Sequence, residues 1–252
     1  IGWNWWTHKK INSTNPPVSV PFAPGYQAVV DYWRGAGPRP SADAARAALF
    51  AQARGLDLDR TVENPGVLAA LFDDAFDTTA RPFRDHRIPG SVHAADYDIG
   101  DQGVAYVDQD PWATSGTPGG GNTGGAYRND GVDIERSTDP LGYGYNVGWI
   151  ESVEWLQYTV TVETAGTYDV EFRVASGAAG GQFRVAMGGQ ALGTVVVPGT
   201  GGWQAWRSVW LLGVDLAAGQ QVLKLSVRTG GFNLNTMRFV AATNTASEGE
   251  SP

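Results

Sequence analysis

Five runs in the last two thirds of this chain alternate apolar and polar residues with period two: EWLQYTVTVE, TYDVEFRVAS, QFRVAMGGQALGTVVV, QQVLKLSVRT and LNTMRFVA. That period sends one set of side chains to one face of a strand and leaves the other set to water. Between the runs stand turn clusters, TAGT, SGAAGG, PGTGG, AAGQ and TGG. Short strands with Gly-rich turns at this spacing predict a β-sandwich, here over residues 88 to 242. The low-complexity stretch TSGTPGGGNTGG, 114 to 125, reads as a flexible loop within it.

At 252 residues the chain has room for one large domain or two ordinary ones. A formal charge of -8 argues against a nucleic-acid partner. No apolar run reaches the roughly 18 residues that a membrane helix needs, so no membrane partner is expected. The absence of cysteine removes disulfides and thiolate metal sites. The sequence opens on Ile1 and closes on the polar run TNTASEGESP, so 243–252 is read as a tail or the start of a linker. The expectation is a monomeric piece of a longer, secreted, extracellular polypeptide.

Residues 1–76 differ in kind. IGWNWWTHKK reads as a short strand, and INSTNPPVSVPFAPG as a loop. PRPSADAARAALFAQARG predicts a helix with Ser41 as N-cap, Asp43 in the first turn and Gly55 as its stop. NPGVLAALFDDAF predicts another, with Asn64 as cap and Pro65 at the first position. One strand and a few helices cannot bury a core alone. Residues 77–87, with three Arg, one Pro and no apolar periodicity, read as a linker or an interdomain strap.

Ten tryptophans beside 34 glycines point to aromatic platforms on loops as well as to a core. Trp149 and Trp203 each follow a Gly at the edge of a strand-like run, and Asn233 follows GGF in the same setting. Two aromatic plates suit the CH faces of a sugar ring, and an amide both donates to and accepts from hydroxyls. The plainer alternative for each Trp is a core position, and for Asn233 a turn residue bonded to its own backbone. Trp155 lies six residues after Trp149, with a Glu-Ser-Val interruption, which divides them between loop rim and sheet face. Trp206 and Trp210 alternate along WQAWRSVWLL and read as core or partner-facing.

The segments IPGSVHAADYD, GGAYRNDGVDIE, GYNVGWIESVEWLQYTV, GTYDVEFRVASG, TGGWQAW, AAGQQVLKLSV and GGFNLNTMRF resemble, in order, the successive segments of family 6 carbohydrate-binding modules. The resemblance implies an all-β jelly-roll sandwich that binds polysaccharide (β-glucan, cellulose, laminarin or xylan) and does no chemistry. It places the loop-end cleft on Trp149, Trp203 and Asn233, with Glu135 at its border. It implies a second cleft on a sheet face, through Trp155 with Gln157 beside it. Such modules hold a structural calcium through two Glu in an opening I-E-A-E-D-Y segment. Here His93 and Ala95 replace both, and Asn235 stands where Asp is frequent. Ca²⁺ needs six to eight oxygens, normally with charged carboxylates among them. No cofactor is therefore expected; Asp96 and Asp98 are the acids left for a weak site, and His93 reads as a hydrogen-bonded edge residue.

GWNWWTHKK, NPPVSVP, a YW pair, PRPS and ENPGVLAALF look like the C-terminal end of a family 5 glycoside hydrolase, the last strand and helices of a (β/α)8 barrel. That resemblance makes Trp6 the floor of a sugar subsite, against a plain core reading. A retaining glycosidase needs two carboxyls about 5 Å apart. In that family they lie on strands upstream of this segment, so no catalytic residue is assigned. The alternative, a glucanase fragment active by itself, would have to draw a pair from Glu135, Glu151 and Glu154, which read instead as ordinary strand and loop acids.

Overall fold

A computed structural model describes residues 7–110, 123–128 and 130–242, and its chain divides into two compact units, Ile1–Phe72 and Asp73–Pro252. Trp6, most of the 114–125 loop and the 243–252 tail lie outside the described residues. The boundary puts the segment read as a linker inside the second unit. There Arg81 bridges Ile99, and His86–Ile88 forms a strand.

In the first unit β1 (Lys9–Ile11), β2 (Val18–Val20) and β3 (Val62–Glu63) form a small sheet, with β1 parallel and β3 antiparallel to β2. Three helices accompany it: α1 (Tyr26–Trp33), α2 (Ala42–Arg54) and α3 (Pro65–Phe72). The Ser41 hydroxyl accepts from Ala44 N at 3.2 Å, and Asp43 and Arg54 complement the α2 dipole. Pro65 opens α3, as its fixed φ favours. The Asn64 side chain, however, does not cap α3. It donates to Pro16 O and Ser19 Oγ, tying the helix start to the β2 segment. Little is buried among the described residues of this unit: Val20, Val29, Ala48 and Gln52, with Pro16 and Pro17 ahead of β2.

The second unit is a β-sandwich. One sheet runs β13 (Gly202–Leu216), β10 (Gly166–Ser176), β15 (Asn233–Ala241), β8 (Tyr145–Val147), β7 (Ile134–Arg136), with β5 (Gly90–His93) also on β15. The other runs β12 (Gln190–Pro198), β11 (Gly180–Met187), β14 (Gly219–Thr229), β9 (Trp155–Val162), β4 (His86–Ile88), with β6 (Tyr106–Val107) on β9. Among the described residues, the pairings between these strands are antiparallel except β4 on β9.

The alternation read from the sequence sets the core. In β9, Leu156, Tyr158, Val160 and Val162 are buried, and in β10 so are Tyr168, Val170, Phe172 and Val174. These two rows face each other in a single apolar cluster. Phe172, Phe183 and Phe232 form its aromatic centre, with ring centroids 5.2 and 5.4 Å apart. Trp206 and Trp210 stay out of it. They share β13's outer face with Ser208, whose partner Arg173 lies on the solvent side of β10. Trp210 is exposed, with the Arg238 guanidinium over its ring.

Candidate functional site

Three strand ends meet at one end of the sandwich: the end of β8 and the starts of β13 and β15. Trp149 follows β8 with φ 49°, in the left-handed region that side-chain-bearing residues seldom adopt. Trp203 is the second residue of β13. The two indoles are 48% and 49% exposed, and both line a cleft of about 650 Å³ with Gln109, Glu151, Ser152 and Gly230. The core alternative read for both is therefore excluded. Each ring rests on a glycine. A Cβ on Gly177 would lie 2.8 Å from Trp203 Nε1, and one on Gly124 would lie 3.1 Å from Trp149 Cζ3. The glycines let the plates lie close to backbone.

Asn233 lies beneath these rims, 2% exposed, and does not line the cleft itself. Its Nδ2 donates to Glu135 Oε1 at 2.9 Å and to Trp203 O at 2.8 Å. Turning the amide would set its oxygen against two acceptors, so the orientation is fixed. The amide is thus no longer free to donate to a ligand. Its oxygen faces Gly148, next to Trp149, and accepts no hydrogen bond among the described residues. Glu135 Oε1 also accepts from Asn146 Nδ2 and Gln204 Nε2. The structure thus joins Trp149, Trp203, Asn233 and Glu135 in one constellation. It adds Asn146 and Gln204, which no sequence signal marked, and Gln109, which comes from a distant loop.

Three carboxyls support the cleft loops from below. Glu154 accepts from Glu151 N at 2.9 Å and Gln109 N at 3.2 Å. Asp108 accepts from Asp110 N, and Asp133 from Thr123 N. Burial drives all three upward, to about 8 for Glu154, about 7 for Asp108 and about 6 for Asp133. Backbone amides hold both oxygens of Glu154 and one each of Asp108 and Asp133, as side-chain amides hold Oε1 of Glu135. These carboxyls hold loops in place.

Trp155 and Gln157 lie elsewhere, on the outward face of β9. Lys224, from β14, sets its Nζ 3.5 Å from the Trp155 ring centroid. Burial lowers the Lys224 pKa. The ring face on which a sugar would stack is therefore already covered by an ammonium. Gln157 Nε2 approaches Asp98 Oδ2 at 3.4 Å.

The residues at the opening segment do not fit calcium. His93 stacks on Tyr143 with centroids 4.0 Å apart, and its buried Nδ1 finds no hydrogen-bond partner, so it is not the hydrogen-bonded edge residue expected. Burial lowers its pKa, and one soft nitrogen is not a calcium donor set. Asn235 is saturated: it donates to Ser137 Oγ and Tyr143 O, and accepts from Tyr143 N. Asp96 accepts from Tyr127, and Asp98 from the Thr159 amide and hydroxyl. Among the described residues no cluster of three His, Cys, Asp or Glu could hold a metal. No helix among them is long and apolar enough to cross a membrane.

Fold and cleft together define a sandwich of the sugar-binding type. Residues 125–241 match the family model for carbohydrate binding module, family 6, and carry a domain of that family. The match begins well past the first unit. The α subunit of clotting factor G from Tachypleus tridentatus is 33% identical over 111 residues, which is 43% of this chain and 16% of that protein. A module from Cellvibrio mixtus lichenase 5A, solved with cellotriose, is 38% identical over 44% of this chain and 88% of its own, with a TM-score of 0.40. The C-terminal module of a Zobellia galactanivorans laminarinase is 28% identical, covering 60% of this chain and 97% of its own, with a TM-score of 0.45. A β-1,3-glucan-binding module from Bacillus halodurans is 26% identical over 63% of this chain and all of its own, at 0.45.

Proposed function

We propose that the second unit binds a β-linked polysaccharide of the glucan or xylan class in the loop-end cleft, without hydrolysing it. One observation carries this reading: two half-exposed indoles flank the same cleft, each resting on a glycine. Trp149 and Trp203 stack sugar rings. Asn233 and Glu135 fix the rims' spacing, and the Asn233 oxygen is the acceptor left for a hydroxyl. Glu135 Oε1 and both Glu154 oxygens are engaged by protein amides in the floor and under the loops, which supports binding without catalysis.

In this reading the polypeptide is secreted, and the module keeps a catalytic domain of the same polypeptide on its substrate by raising its effective concentration. The first unit, by its resemblance to the end of a glycosidase barrel, belongs to that domain. Calorimetry with laminarihexaose, cellohexaose and xylohexaose tests the cleft. Stacking worth roughly 0.5–1.5 kcal/mol per aromatic contact predicts that W149A and W203A each weaken the bound oligosaccharide by a factor of several to about tenfold. Unchanged affinity in both variants, with the fold intact, would remove the site from this cleft.

A further inference from the structure

Trp206 and Trp210 read from the sequence as core or partner-facing, and the loop cleft uses neither. Both follow Trp203 on β13 and stand on that strand's outward face, whereas Trp203 lines the cleft at its start. Trp206 is half-buried and tied to the cleft floor. Its Nε1 donates to Gln204 Oε1 at 3.0 Å, and Gln204 Nε2 donates to Glu135 Oε1 at 2.7 Å. Trp210 lies farther down the same strand, at most about 23 Å from Trp203 at the rise of an extended chain. It is 44% exposed, so much of a large apolar ring faces water.

The neighbours of Trp210 decide what that ring suits. Register places Glu171 of β10 beside it and Arg238 of β15 next in the same row. Arg238 donates through Nε to Glu171 Oε2 at 2.7 Å. Ser208 Oγ donates to Glu171 Oε1 at 2.5 Å and accepts from Arg173 Nη1 at 3.0 Å. Arg173 in turn pairs with Asp139. The four charges around the ring are therefore matched within the protein. Arg238 Cζ lies 5.8 Å from the indole centroid, so the guanidinium borders the ring, whereas the ammonium 3.5 Å from Trp155 covers its ring.

A protein-binding patch is apolar at its centre. Here one indole, with Leu212 as its exposed aliphatic neighbour along the strand, is bordered by a hydroxyl and two ion pairs. That mixture fits a neutral sugar ring. The CH face stacks on the indole, and hydroxyls meet the Nη1 hydrogens of Arg238, which Glu171 leaves free by taking Nε and Nη2. Matched charges offer an acidic glycan no partner.

We propose that the outward face of β13 carries a second glycan platform, centred on Trp210, which takes rings of the same neutral chain that occupies the loop cleft. A long chain is then held at two places on one strand, and the second contact adds to the first through effective concentration. The platform rests on the loop-cleft reading and lies outside the cleft itself.

Calorimetry and affinity gel electrophoresis on the full chain test it with short and long ligands. Laminaritriose, cellotriose and xylotriose fill the cleft but do not reach from Trp203 to Trp210. Soluble laminarin, hydroxyethylcellulose and arabinoxylan do. W210A is expected to leave trisaccharide affinity at the parental value and to weaken the matching polymer about two- to tenfold. W210F keeps a ring and is expected to lose less. W210Q repeats the measurement independently of how the alanine variant folds. Raising salt is expected to change the polymer's affinity little, because the charges are already paired. Parental polymer affinity in W210A and W210Q, or an equal loss for trisaccharide and polymer, would overturn the platform. W149A and W203A separate the two readings. If they weaken the trisaccharide while W210A leaves the polymer unchanged, the platform alone fails. If they leave the trisaccharide unchanged, the cleft reading fails and the platform with it.

Discussion

Asn233 is where one side chain decides most. Its two amide hydrogens go to Glu135 and to the Trp203 carbonyl, so it joins the floor to one rim and faces Gly148 beside the other. Asn233→Asp keeps the size and removes both donors, and it sets a second carboxylate against Glu135. Leaving buried acceptors without donors costs about 1–3 kcal/mol. Denaturant unfolding at neutral pH is expected to show a loss of that size, and glycan titration a loss of affinity well beyond tenfold. An Asn233→Asp variant as stable as the parent would show that the amide does not organise the cleft. No local signal marks this division of labour. GGFN marks a turn and offers an amide, but which of its atoms remains free depends on Glu135, 98 positions away.

At the scale of elements, the cleft loops stand on Glu154, Asp108 and Asp133, whose folded pKa values of about 8, 7 and 6 exceed the ordinary 4.5 and 3.8. Between the ordinary and the raised values the folded state holds protons that the unfolded chain has released. Stability from these groups is therefore fully present at low pH and is lost as pH rises through the folded values. His93 acts in the opposite sense, since burial lowers its pKa and stability is lost once pH falls below about 6.5. The melting temperature is expected to rise as pH is lowered from about 8.5 to about 6.5, with a shallower slope in Glu154→Gln. A flat or inverted profile over that window would show that these carboxyls are ionised in the fold. The alternation in β9 and β10 was legible in sequence because every second residue is apolar. The burial of three acids was not, since loop residues carry no period.

At the scale of the molecule, the two units differ in what they bury. The sandwich encloses a continuous core from both sheets. The first unit buries only Val20, Val29, Ala48, Gln52 and two prolines among its described residues, and it exposes Trp33, Phe50, Leu58 and Val62. Ordering a residue costs roughly 1–2 kcal/mol of backbone entropy, which so small a core does not offset. Residues 73–242 expressed alone are expected to melt cooperatively and to keep the glycan affinity, while residues 1–72 alone show no cooperative transition by circular dichroism. A sharp transition in the shorter fragment would mean that its helices and three-stranded sheet are self-sufficient.

By itself the sequence determined the sandwich, the strand faces and the positions of Trp149 and Trp203 at loop rims. These follow from local signals: period-two burial along a strand, and glycine before an aromatic at its end. Only the tertiary structure decided that Trp149 and Trp203 share one cleft, since their juxtaposition comes from β8 and β13 ending at the same rim. It alone showed that Lys224 covers Trp155, that Asn235 is saturated by Ser137 and Tyr143, and that residues 80–88 are strapped to the sandwich. Each of these is a contact between residues far apart in the chain, fixed by strand register and by which buried polar atoms find partners. No local pattern of residues encodes that.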